Sequence, residues 1–147
     1  MARGDVTIFE ESIAKMVDGN WASTDHFYCA ICDNTTPPTA GTATPVIGDF
    51  TQVGDSGTYV DNGTDLGALA DLVSESGGTM TFDSDVNPTW ANDALNDVDA
   101  YWGIIYNYTD SGKDALCFVE LDGPVNMSTT DLTITWAGTG IFTIAGA

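Results

Sequence analysis

Trp102-Gly103-Ile104-Ile105-Tyr106-Asn107-Tyr108 (WGIIYNY) and Ala115-Leu116-Cys117-Phe118-Val119-Glu120-Leu121 (ALCFVEL) decide the fold class of this chain. Each is a short apolar run, and Thr, Asp, Ser and Gly punctuate the stretch between them. That is the pattern of an all-β domain. Working outward, His26–Cys32 (HFYCAIC) reads as a buried strand and Leu132–Trp136 (LTITW) as an alternating one. Ile141–Ile144 (IFTI) follows as a last strand after a Gly138-Thr139-Gly140 turn. Asp49–Val53, Thr58–Val60 and Thr79–Phe82 read as further short strands, and Thr35–Pro45, with Pro37, Pro38, Gly41 and Pro45, as an irregular loop.

Two stretches stay open. Leu66, Leu69 and Val73 fit a helical stripe, while Leu72, Glu75 and Gly77-Gly78 fit a strand and hairpin. Asp93–Asp99 fits one helical turn or a polar loop. The N-terminal segment is clearer. Thr7 and Glu10 have the spacing of a capping box, Phe9, Ile13, Met16 and Val17 fall on one side, and Lys15 suits a helix C-terminus before Gly19. The expectation is a helix over residues 8–18. The expected architecture is mainly β, an antiparallel sandwich or partly closed barrel with one short N-terminal helix. With no internal repeat and no linker, residues 1–147 form one β-rich domain, residues 1–6 serving as an N-terminal arm.

Charge excludes whole classes of partner. The chain has 22 Asp and Glu against 3 Lys and Arg, a formal net charge of −19. Such a surface repels nucleic acid and anionic lipid, and Arg3, Lys15 and Lys113 make no basic patch. Acidity of this kind also suits a surface adapted to salt. Hydrophobic residues at 43% argue against a disordered acidic tail. The N-terminus lacks the apolar core of a secretory signal, and no run is long enough to span a bilayer. Synthesis in a cytosol is expected, with Cys29, Cys32 and Cys117 as reduced thiols.

Reactive side chains give little. Cys29 and Cys32 have the spacing of half a zinc or redox site, with Cys117 and His26 as the remaining candidate ligands. On a regular strand, however, they point to opposite faces, so buried core cysteines are the reading. His26, the single histidine, has no nucleophile motif nearby and reads as a strand-edge residue. Asp83-Ser84-Asp85 and Asp93, Asp97 and Asp99 have the oxygen chemistry of a weak calcium site but no EF-hand spacing, so solvated loops are preferred. Arg3-Gly4-Asp5, the N-x-S/T patterns at Asn34, Asn62, Asn107 and Asn126, and Gly138-Thr139-Gly140 are chance matches without their structural contexts. No catalytic residue and no cofactor is assigned.

The order of elements carries a resemblance. Val6-Thr7-Ile8-Phe9 leads into a helix ending at Asp18-Gly19. An apolar strand, a Thr/Pro-rich loop, Phe50-Thr51-Gln52-Val53 and Gly57-Thr58-Tyr59 follow. Then come Met80-Thr81-Phe82-Asp83-Ser84-Asp85 with Trp90, the Ala100–Tyr106 strand, Ile134-Thr135-Trp136 and Gly140–Ile144. This layout resembles small virion structural proteins of tailed bacteriophages, over nearly the whole chain. Such proteins usually have an aliphatic first strand without two cysteines and a clearer strand at Leu66–Ser76.

The resemblance implies a non-enzymatic β-sandwich subunit, first of all a head decoration (cement) protein on the outer capsid surface. Its implied partners are the major capsid protein and itself, a trimer being a natural closed ring. Aromatic residues beside loops are candidate contact anchors, so Trp21 and Trp90 are expected at an interface. Val6 in the arm and Pro37 and Pro38 in the loop join them, whereas Trp102 and Trp136 read as core. Two other expectations stand: a tail, neck or baseplate component, and a calcium-dependent glycan-binding module on the virion.

Overall fold

The apolar runs of the sequence become the three inner strands of one sheet. The computed structural model describes residues 4–146. In chain order the elements are β1 (Val6–Ile8), α1 (Glu10–Val17), β2 (His26–Cys32), β3 (Thr64–Ala68), the one-turn α2 (Leu69–Leu72), β4 (Val73–Ser76) and β5 (Thr79–Phe82). They continue with β6 (Thr89–Trp90), β7 (Ala100–Asn107), β8 (Ala115–Val125), β9 (Leu132–Thr133) and β10 (Phe142–Ala145). A five-stranded sheet has the order β1-β8-β7-β2-β3, a three-stranded sheet the order β10-β5-β4, and β6 pairs with β9. All pairings are antiparallel. The fold is mainly β and sandwich-like, with no closed barrel.

The large sheet is covered on both faces, which is why β2, β7 and β8 read as near-continuous apolar runs rather than alternating ones. One face carries Phe27, Cys29, Ile31, Ile105, Cys117 and Val119, and meets Phe82, Trp90 and Leu132 of the two smaller sheets. The other carries Ala30, Cys32, Trp102, Ile104 and Phe118 beneath Phe9, Ile47 and Phe50. Phe9 is fully buried, its ring 4.9 Å from that of Phe118 and 5.8 Å from that of Phe50. Burial of one such side chain is worth about 2 kcal/mol. A register shift between Ile105 and Tyr106 leaves Leu116 as the extra residue of β8, so Leu116 and Cys117 both join the first face. Gly103, in the middle of β7, has no side chain because a Cβ there would stand 2.9 Å from Ile134 Cδ1 and 3.0 Å from Val119 Cγ1.

Several expectations need correction. Thr7 lies in β1, not at a helix cap, and Phe9 occupies the N-cap without a side-chain hydrogen bond. The helix turns Ile13 and Val17 outward, 45% and 82% exposed. What it buries instead is Ser12, whose hydroxyl donates to the Ala115 carbonyl at 2.6 Å. Lys15 bonds Asp114 Oδ2 at 2.6 Å and pins the helix to the start of β8. The segment 49–53 holds the end of a 3-10 turn and a single bridge from Gln52 to Cys32, and 58–60 holds no strand. The Leu66–Ser76 ambiguity resolves into both alternatives in succession, since the end of β3, the turn α2 and β4 follow directly on one another. The expected strand at Leu132–Trp136 stops at Thr133.

Candidate interaction surface

Burial disposes of the thiols first. Cys29 and Cys117 lie on one face of the large sheet and Cys32 on the other. Loss of hydration pushes the Cys29 thiol up to about 12, and raises Cys32 and Cys117 as well. A thiol so protonated is a poor nucleophile. The His26 ring lies on the surface, its Nδ1 2.9 Å from Asp65 Oδ2. Among the described residues no group of three or more His, Cys, Asp or Glu is disposed to hold a metal ion. Two of the calcium candidates serve their own loops: Asp83 Oδ1 accepts the Ser84 N–H at 2.8 Å and Asp93 Oδ1 the Leu95 N–H at 3.0 Å. No helix among the described residues is long and apolar enough to cross a membrane.

A tyrosine cluster at the His26 end of β2 is likewise self-contained. Tyr28 stacks on Tyr108 with centroids 4.1 Å apart, and Lys113 Nζ sits 3.8 Å from the Tyr108 ring. Lys113 also donates to the Tyr108 carbonyl at 3.0 Å. Both Tyr108 neighbours come from the chain itself, so its ring is engaged as packing.

A concave surface lies where the two main sheets open. One wall is β1 and its partner β8, at Gly4–Val6 and Val119–Asp122; the other is the segment from Thr133 to Thr143. The groove encloses about 680 Å³. Val119, Leu121, Ile134 and Ile141 give it an apolar floor, each between 6% and 8% exposed. Thr133, Thr135, Thr139 and Thr143 line it with hydroxyls, and Asp5, Glu120 and Asp122 with carboxylates. Trp136, expected in the core, is half-buried in this wall, where its Nε1 donates to the Val86 carbonyl at 2.8 Å.

Of the expected contact residues, Val6 and Pro37 keep exposure. Val6 is half-buried at the rim of the groove, paired with Val119, and Gly4 N–H donates to the Glu120 carbonyl at 3.0 Å. The part of the arm described here, residues 4–6, is therefore docked on β8 instead of extending away, and residues 1–3 lie outside the described residues. Pro37 is exposed but Pro38 is buried. Trp21 and Trp90, at 7% and 6% exposure, are core residues, and this corrects their assignment as contact anchors. Trp21 meets Phe27 edge-on at 5.2 Å and Trp90 lies 5.7 Å from Tyr59. Sequence reasoning missed the groove itself; the one signal for it is the absence of charge from Leu132 to Ala147, which includes most of one wall.

No protein-family model, curated protein or solved structure matches the chain. Fold and surface together define an acidic, open-edged antiparallel β-sandwich.

Proposed function

We propose that this chain is a non-enzymatic structural protein of a tailed-phage particle, decorating and stabilising the outer capsid surface as a homo-oligomer. The observation that carries the reading is the groove between β1 and the segment 133–143. Its apolar floor and hydroxyl-lined wall suit an extended segment of a neighbouring shell protein, and its length along β1 and β8 suits strand-like contact. The order of elements that resembles small phage virion proteins supports the same reading. So does the charge of −19, which keeps such a subunit soluble and away from packaged nucleic acid.

Copy number in purified particles, measured against the major capsid protein, tests this. A ratio near one, or a simple fraction of the shell count, supports decoration. A handful of copies per particle removes it and favours a neck or tail location.

A further inference from the structure

The edge strand β10 has an unusual combination of free backbone and missing charge. Gly146 N–H donates to the Gly78 carbonyl, and Ile141 N–H to the Phe82 carbonyl, where the chain bulges into the strand. In the register Phe142 opposite Phe82 and Ile144 opposite Met80, these bonds turn Phe142 and Ile144 toward β5. The backbone groups of Thr143 and Ala145 therefore point outward from the sheet edge. Met80 and Ile144 lie on the same face as the core residue Phe82 and the partly buried Phe142, yet Ile144 is 36% exposed. The apolar face thus continues past the core to an edge that no described strand covers.

Free edges are normally guarded by charge, proline or a bulge. Asp5 precedes β1, Asp65 lies within β3 and Glu75 within β4, but past the bulge at its start β10 contains neither charge nor proline. From Leu132 to Ala147 there is no ionisable side chain, in a chain with 22 acidic residues. The neutral stretch identifies its occupant. A basic partner would gain from carboxylates at the contact, whereas a partner as acidic as this chain requires their removal, because like charges brought together cost several kcal/mol. Interface centres are depleted in charge for this reason.

We propose that β10 pairs with β10 of a second copy of this chain, antiparallel about a twofold axis, joining two three-stranded sheets into one of six strands. One register pairs both outward residues within β10. Thr143 exchanges both backbone hydrogen bonds with Ala145 of the other copy, and Ile144 meets its own counterpart on the axis in the closer, non-hydrogen-bonded position, with Cα atoms about 4.5 Å apart. Each copy carries a formal net charge of −19, so salt strengthens the pair. The inference rests on the oligomeric part of the reading above and not on its virion part. Copy number in particles tests the latter, mass in solution the former.

Sedimentation equilibrium of the full chain, at concentrations up to about 1 mM to reach weak complexes, should show the mass rising from 15.5 kDa toward twice that value. Ala145→Pro removes an outward donor and Ile144→Lys sets two like charges against each other on the axis, and both leave the β5 ladder its hydrogen bonds. Each variant should stay monomeric over the same range while keeping the circular dichroism of the parent. A parent that remains monomeric throughout, a mass approaching three copies, or an Ile144→Lys variant that associates like the parent would each overturn the proposal.

Discussion

The Tyr59 hydroxyl accepts the Ile31 N–H at 3.1 Å, standing in for a strand partner at the point where β3 no longer runs beside β2. The same hydroxyl donates to Gln52 Oε1 at 2.7 Å, and that oxygen also accepts the Asn62 N–H at 2.8 Å. One buried phenol thus ties the 52–62 loop to the centre of the large sheet.

Tyr59→Phe keeps the ring and its packing on Trp90 but leaves the Ile31 N–H without a partner. Ile31 and Tyr59 are both fully buried, so water does not replace the bond. An unsatisfied buried donor costs about 1–3 kcal/mol. Urea unfolding should show a loss of that size in the unfolding free energy in water, as a lower midpoint with an unchanged slope. A variant as stable as the parent would mean that the loop is held by packing alone.

Directly after Asn62, Gly63 faces a harder constraint. Its φ is +80°, and a Cβ there would lie 1.9 Å from the Cys29 carbonyl oxygen. The obstacle is backbone of the central sheet, which cannot rotate away. Gly63→Ala should therefore cost more than about 3 kcal/mol, through left-handed strain and collision together. Recovery of soluble protein and thermal unfolding measure this. Gly138→Ala, where a Cβ meets nothing within 4 Å, is the mild control.

Much of this frame was legible in the sequence. The strands His26–Cys32, Trp102–Tyr108 and Ala115–Leu121 were readable because a sheet covered on both faces leaves long apolar runs. The two-residue period puts Cys29 and Cys32 on opposite faces, as observed. The helix was placed well but its buried side was not. Contacts of Phe9 with Phe50 and Phe118, far away in the chain, outweigh the local periodicity of Ile13 and Val17. Trp21 and Trp90 failed as contact residues for a related reason: polar sequence neighbours suggest a surface, while Phe27 and Tyr59 arrive from elsewhere to bury them. The groove was illegible because residues 4–6, 119–122 and 133–143 build it jointly, and only the topology brings them together.

Salt should stabilise the fold. Attractive pairs such as Lys15–Asp114 weaken with added salt, but the chain has 3 Lys and Arg to set against 22 acidic residues, so relieved repulsion wins. Screening within about 10 Å at about 0.1 M reaches neighbouring surface carboxylates. The thermal midpoint should rise by several degrees between low salt and about 0.5 M sodium chloride. A falling midpoint would mean that a few ion pairs outweigh the general repulsion.

Alkaline pH should unfold the protein through its buried thiols. All three cysteines are free, and burial raises each above the ordinary value of 9.0, Cys29 to about 12. Below pH 9 a thiol is protonated in both states and contributes no pH dependence. Above it the unfolded chain releases the proton while the folded chain holds it, so stability falls as pH rises. The fall continues toward the raised folded value, near 12 for Cys29. Each thiol shifts the equilibrium about tenfold per pH unit within that window. Burial likewise raises Tyr59 and Tyr106 above their ordinary 10.0, which adds to the loss at the upper end. Urea midpoints measured between pH 8 and about 11 should be level at first and then drop steeply. Cys117→Ala should flatten the slope by one proton, apart from its own packing cost, whereas an unchanged slope would mean that the thiol ionises with the fold intact.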